Sequence, residues 1–182
     1  MYQKALQERP LATKAVTAGA IAGISDLLAQ RLTKGKAGGT CLKRTAQLAA
    51  FGLLWSGPSL HLWQRFLETR VFYDAKPSTG TAARKAALDQ VTYGPMCNAL
   101  MLAYIAMVVE GRSASFARQK LRSDLVKVQM NGWKLWPLAA LLNYKYVPVQ
   151  YRALFMNVVG LVWSTSLIVA AKGASKAVAK AR

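Results

Sequence analysis

Three stretches of this chain contain no Asp, Glu, Lys or Arg: Thr45 to Gln64, Gln90 to Val109 and Ala153 to Ala171. Each is about 20 residues long, which as a helix gives ~30 Å, the depth of a bilayer's hydrocarbon core. Surface helices of soluble domains alternate charged and apolar faces, so uncharged runs of this length are hard to place in water. A fourth stretch, Ala12 to Leu32, is broken only by Lys14, Asp26 and Arg31. Lys14 and Arg31 lie near its ends, where long basic side chains can reach the interface, and only Asp26 falls well inside. The pattern predicts an all-α integral membrane bundle, one domain over 1–182, with transmembrane helices at about 12–32, 45–66, 88–109 and 151–171.

Charge placement supports this reading. The chain has 182 residues, 53% of them hydrophobic, and carries 25 Lys+Arg against 7 Asp+Glu, a net charge of +18. That apolar content excludes a disordered basic tail. The basic residues fall between the uncharged runs: five from Arg31 to Arg44, seven from Glu110 to Lys145 and four from Lys172 to Arg182. A nucleic-acid binder would gather them on one continuous face. The expected partner is therefore the lipid bilayer, not nucleic acid. Lys and Arg in the loops tie at twelve on each side, so the positive-inside count assigns no orientation. Met1 to Pro10 contains Lys4, Glu8 and Arg9 and no apolar core, so no cleavable signal peptide is expected there.

Several side chains within the spans stand out. Gly19, Gly23, Asp26 and Gln30 share one helix face, a Gly-x-x-x-Gly pair extended by two polar groups. Such a stripe serves either as a hydrogen-bond clamp between helices or as the lining of a watery path. Asn157, Gly160 and Ser164, with Ala153, form a milder small and polar stripe in the last span. Asp89 and Tyr93 share a face of the third. The Gly57-Pro58 and Gly94-Pro95 pairs predict kinks, and His61 is a candidate partner for backbone groups freed at Pro58. Trp55, Trp63, Trp133, Trp136, Tyr144 and Tyr146 lie near the proposed span ends, as an aromatic belt would.

The region 112–145 is expected to hold a basic interfacial helix and a short interfacial or re-entrant helix from Leu135 to Tyr144, too short to span. In the first, Ala114, Ala117, Leu121, Leu125 and Val128 cluster on one side. No phosphate-binding loop, dinucleotide fingerprint or zinc motif is present, and Cys41 and Cys97 fit neither a disulfide framework nor a metal site. No catalytic residue, cofactor or metal is expected, and an enzyme is not indicated.

A series of short motifs runs in order from residue 10 to 163: Pro10-x-x-Thr13-Lys14 with Asp26 and Gln30; Gly57-Pro58-x-x-His61-x-Trp63; Asp89-Gln90 with Pro95; Glu110-Gly111-Arg112; Trp133-Lys134-x-Trp136-Pro137; Asn143-Tyr144; Val147-Pro148; Arg152; and Trp163. In this order and spacing the chain resembles the twenty-two-kilodalton peroxisomal membrane protein family, related to the Mpv-seventeen proteins of mitochondria, and most of all its plant and algal peroxisomal branch. It departs from the family pattern at Ala140, Ser25 and Gln64. The resemblance implies a four-span protein of the peroxisomal membrane, or alternatively of the mitochondrial inner membrane or a plastid. It also implies a channel-like role in passing small solutes. Asp26, Gln30, His61 and Asp89 would then line or gate a path, narrow or formed between protomers of a homo-oligomer or larger membrane complex. The rival is a non-conducting structural subunit or scaffold, in which the same residues hold helices together.

Overall fold

A computed structural model of the chain describes residues 2–34, 39–163 and 165. It is all-helical, with no strand among the described residues. The described residues fall into two compact units, one formed by those up to Pro58 and from Asn157 on, the other by Ser59–Met156.

In the first unit, helix α1 (Tyr2–Glu8) leads into α2 (Pro10–Lys34). The ladder is interrupted at Arg9 because Pro10 lacks an N–H and disfavours helical backbone before it. Thr13 bridges the interruption, its hydroxyl donating to Ala5 O at 2.9 Å and Arg9 O at 2.8 Å. Helix α3 (Leu42–Phe51) and the π turn that follows it, Gly52–Ser56, pack along α2. The packing brings backbone against backbone. A Cβ added at Gly52 would lie 2.7 Å from Ala18 O, and one at Gly57 would lie 2.6 Å from Ala15 Cα. Lys14, expected to reach an interface, is instead buried beside this contact.

In the second unit, α4 (Gly57–Phe66) runs on through a π turn, Leu67–Val71. Ser78 caps α5 (Thr79–Leu88), accepting a hydrogen bond from Thr81 N at 3.0 Å. From there α5, a π turn (Asp89–Tyr93), α6 (Gly94–Tyr104) and another π turn (Ile105–Val109) make one helical stretch, Thr79–Val109. Gly111, at φ 65°, turns the chain in the left-handed region where a side chain would be strained. Helix α7 (Ala114–Gly132) then returns along α6. Helix α8 (Trp136–Tyr146) packs on α5, and α9 (Arg152–Trp163) follows a short loop. The core gathers Leu67, Ala82, Ala86, Ala140 and Tyr144, with Trp63, Phe72, Leu88 and Leu141 against it. The alanines let α5 and α8 approach closely.

Both Gly-Pro pairs directly follow a π turn. Gly57 N–H bonds to Gly52 O and Gly94 N–H to Asp89 O, each reaching five residues back. The wider turn displaces the carbonyl that a proline ring would otherwise strike, so the helices continue past Pro58 and Pro95 without a break.

Among the described residues, two helical stretches are long and apolar enough to cross a membrane: Pro10–Thr33 and Thr79–Val109, where the first and third spans are expected. The stretch from Leu42 to Val71 is helical throughout but less apolar, since Gly52, Ser56, Gly57, Ser59, His61 and Gln64 dilute it. Arg152–Trp163 is apolar but short, and the rest of the expected fourth span lies outside the described residues. In α7, Ala117 is buried and Leu121 and Leu125 are half-buried, while Ala114 and Val128 are exposed. Trp133 and Tyr146 are exposed as a belt would have them, whereas Tyr144 sits in the core.

Candidate functional site

In the first unit the polar stripe of α2 meets α3. The Asp26 carboxylate, 4% exposed, accepts from Gln30 Nε2 at 2.6 Å and from Thr45 Oγ1 at 2.7 Å, both on Oδ2. Arg44 Nε lies 3.0 Å from Oδ1 as an ion pair, with its N–H not aimed at that oxygen. The Gln30 amide also grips the residue that precedes α3: Cys41 N donates to its Oε1 at 2.7 Å, and its Nε2 donates to Cys41 O at 3.2 Å. Asp26 and Gln30 thus join α2 to the start of α3. Of the glycines on the same stripe, Gly19 is tightly packed, since a Cβ added there would lie 3.1 Å from Ala49 O and from Leu53 Cβ, while one at Gly23 would have ordinary room.

In the second unit, Asp89 lies buried under Trp63, whose indole Nε1–H donates to Asp89 Oδ1. The Trp63 ring stacks on Tyr93 at 5.5 Å and on Phe66 at 5.8 Å, and Tyr93 OH shares a 2.9 Å hydrogen bond with Ser59 Oγ. Asp26 and Asp89 belong to different units, and each closes a network within its own. His61 is half-buried on α4.

A further cluster joins residues that are far apart in the chain. Glu68, in the π turn after α4, receives Lys85 Nζ on Oε2 at 2.7 Å and the Arg152 guanidinium on Oε1. Arg152, at the start of α9, also donates to Val147 O at 3.0 Å and Tyr144 O at 3.3 Å. It thereby ties the Pro148 loop to the end of α8. Burial alone would raise the Glu68 carboxyl, but the hydrogen bonds and charges of Lys85 and Arg152 outweigh it and hold the group below its ordinary range. The Tyr144 ring lies between the two cations, 6.0 Å from Lys85 Nζ and 5.2 Å from Arg152 Cζ. Around this cluster opens a cavity of about 360 Å³, also lined by Ser78, Thr79 and Thr81. Glu68, Ser78 and Arg152 lie at or beside the ends of helical segments.

Trp136 and Pro137 open α8, and Gly132 makes room for the Trp136 ring, since a Cβ there would lie 2.9 Å from Trp136 Cδ1. Asn143 is buried in α8. Asn157 and Gly160 are half-buried on α9, and Ser164 lies outside the described residues. Sequence reasoning passed over Glu68, Lys85, Arg44 and Thr45. Charges that flank uncharged runs look like solvated loop residues, and nothing in the linear pattern pairs Glu68 with Lys85 and Arg152. Among the described residues no group of His, Cys, Asp and Glu is placed to hold a metal ion.

Residues 107–167 match the Mpv17 / PMP22 family. Over its whole length the chain is 32% identical to the peroxisomal membrane protein PMP22 of Arabidopsis thaliana, covering 93% of that protein. It is 31% identical to the mitochondrial inner membrane protein Mpv17 of Caenorhabditis briggsae, over 91% of this chain and 88% of the relative. The protein SYM1 of Saccharomyces cerevisiae is also 31% identical, over 92% of this chain and 86% of its own length. No solved structure matches. With a relative of this identity aligned from end to end, the chain belongs to the Mpv17/PMP22 family of membrane proteins.

Proposed function

We propose that the chain is a multi-pass protein of the peroxisomal membrane that contributes to the membrane's permeability to small solutes. Its four spans would lie at about 12–32, 45–66, 88–109 and 151–171. The relative named peroxisomal matches it over its full length, which favours that organelle over the mitochondrial inner membrane. The bilayer reading is supported by Thr79–Val109, 31 residues of which the most apolar window is only 6% buried, with Val91, Met96, Leu100, Met107 and Val108 facing outward. The observation that carries the permeability reading is the charged, open cavity at the helix ends beside this stretch. A water-filled hollow lined by Lys85, Arg152 and Glu68 is the form a vestibule would take. Any continuation through the bilayer would run between protomers, since Asp26, Gln30 and Asp89 are engaged by their own chain.

That engagement favours a second reading, a non-conducting scaffold in which the three residues serve as clamps. Liposome swelling separates the two. Purified protein inserted in liposomes should let small solutes, uncharged and carboxylate alike, equilibrate faster than they do across protein-free membranes. A folded, inserted protein that leaves liposomes as tight as the control overturns the permeability reading and leaves the scaffold.

A further inference from the structure

The cavity of the second unit has an unequal charge balance. Among its lining residues Lys85, Lys145 and Arg152 are basic and only Glu68 is acidic. The cations are also the more deeply placed, with side chains 8% and 11% exposed for Lys85 and Arg152 against 29% for Glu68. Two buried cations that share one carboxylate keep donors in reserve. Lys85 gives Glu68 one of its three N–H groups. Arg152 commits its Nε–H to Val147 O and one hydrogen on each terminal nitrogen, to Glu68 and Tyr144 O.

The start of α5, which also lines the cavity, has the same polarity. Ser78, Thr79 and Thr81 bring the first turn of α5 to the cavity, and the Ser78 hydroxyl accepts from Thr81 N–H and shares a 3.1 Å hydrogen bond with Thr81 Oγ1. The amides of Thr79 and Gly80 have no carbonyl one turn earlier in the helix to bond to, and the positive end of the helix lies beside them. Glu68 itself shows what the two cations hold, one oxygen each of a planar carboxylate.

We infer that this cavity binds a small oxyanion, a carboxylate or phosphate group, clasped by Lys85 and Arg152 with Lys145 at the rim and the first turn of α5 facing it. About 360 Å³ suits a small metabolite. The inference deepens the permeability reading and rests on it for the ligand's role, naming oxyanions as the solute class met at the vestibule. Binding itself is measured without any flux, so the two stand or fall separately.

The test uses the purified full chain in an uncharged detergent, with thermal unfolding followed against inorganic phosphate, malonate and a short-chain phosphatidic acid, each matched in ionic strength by chloride. Phosphate or malonate should raise the melting temperature beyond the chloride control. Lys145→Glu, a change at an exposed residue, should weaken that binding by about five-fold or more. Glu68→Gln removes the built-in carboxylate, so its melting temperature should be lower in chloride and recover more on adding malonate than wild type gains. Should Glu68→Gln fail to fold, the wild-type and Lys145→Glu titrations decide alone. A shift with phosphatidic acid and none with the soluble anions would place the oxyanion on a lipid headgroup. Equal melting temperatures in all anions and chloride, or a Lys145→Glu protein that binds as wild type does, would overturn the inference.

Discussion

The contact of α2 with the helix from Leu42 onward makes a sharp prediction at Gly57. A Cβ there would lie 2.6 Å from Ala15 Cα and 2.8 Å from Lys14 O, both backbone atoms that cannot rotate aside. Carbon atoms in contact normally sit ~3.5–4.0 Å apart, so α2 would have to retreat by roughly 1 Å. Overpacking of this kind typically costs ~1–3 kcal/mol, and the gain in helix propensity from glycine to alanine returns ~1 kcal/mol of it. Gly57→Ala should therefore lose up to about 2 kcal/mol, at the upper end of that range because both clashing atoms are backbone. Gly23→Ala is the internal control. Its nearest neighbour would be Ala49 Cβ at 3.5 Å, an ordinary contact, so it should be neutral or gain up to ~1 kcal/mol. Gly52→Ala, with Ala18 O at 2.7 Å, should behave like Gly57→Ala. The double variant should lose less than the sum, because one retreat of α2 accommodates both methyl groups. Equilibrium unfolding in mixed micelles, followed by far-ultraviolet circular dichroism, measures all four. If Gly57→Ala is as stable as wild type, or if Gly23→Ala loses as much as Gly57→Ala, the close backbone approach is wrong.

Other expectations follow from the polar clusters. Asp26→Ala leaves Thr45 Oγ1 and Gln30 Nε2 without their carboxylate and should destabilise by ~1–3 kcal/mol in the same unfolding assay, and Asp26→Asn, which keeps an acceptor, by less. A larger loss in Asp26→Asn would point to the Arg44 charge rather than the hydrogen bonds. Trp63→Phe keeps the stack on Tyr93 but removes the donor to buried Asp89, so it too should lose ~1–3 kcal/mol, and an unchanged unfolding midpoint would argue against that bond. The Glu68 carboxyl is held below its ordinary value of 4.5, so its contribution is complete above that pH and is lost as pH falls through the lowered value. Melting temperatures taken downward from pH 6 should therefore fall faster for wild type than for Glu68→Gln below about pH 4.5, and parallel curves would contradict the pairing.

Much of the fold is written locally. The uncharged run Gln90 to Val109 and the nearly uncharged Ala12 to Leu32 become the two long apolar helices, because length and hydropathy belong to a continuous segment and need no partner to be read. The small-residue stripe through Gly19, Asp26 and Gln30 likewise marks a face that has to meet something other than lipid. What it meets is not written there. Tertiary structure decided that Asp26 pairs with Thr45 and Arg44, and that the tightest glycines are Gly52 and Gly57 on the facing helix. It also decided that Lys14 is buried, that Trp63 covers Asp89, and that Glu68 pairs with Lys85 and, across 84 positions of sequence, with Arg152. Hydrophobic periodicity records how often a residue leaves water, whereas a buried charge is set by the one group that faces it. Only the packed helices fix that partner.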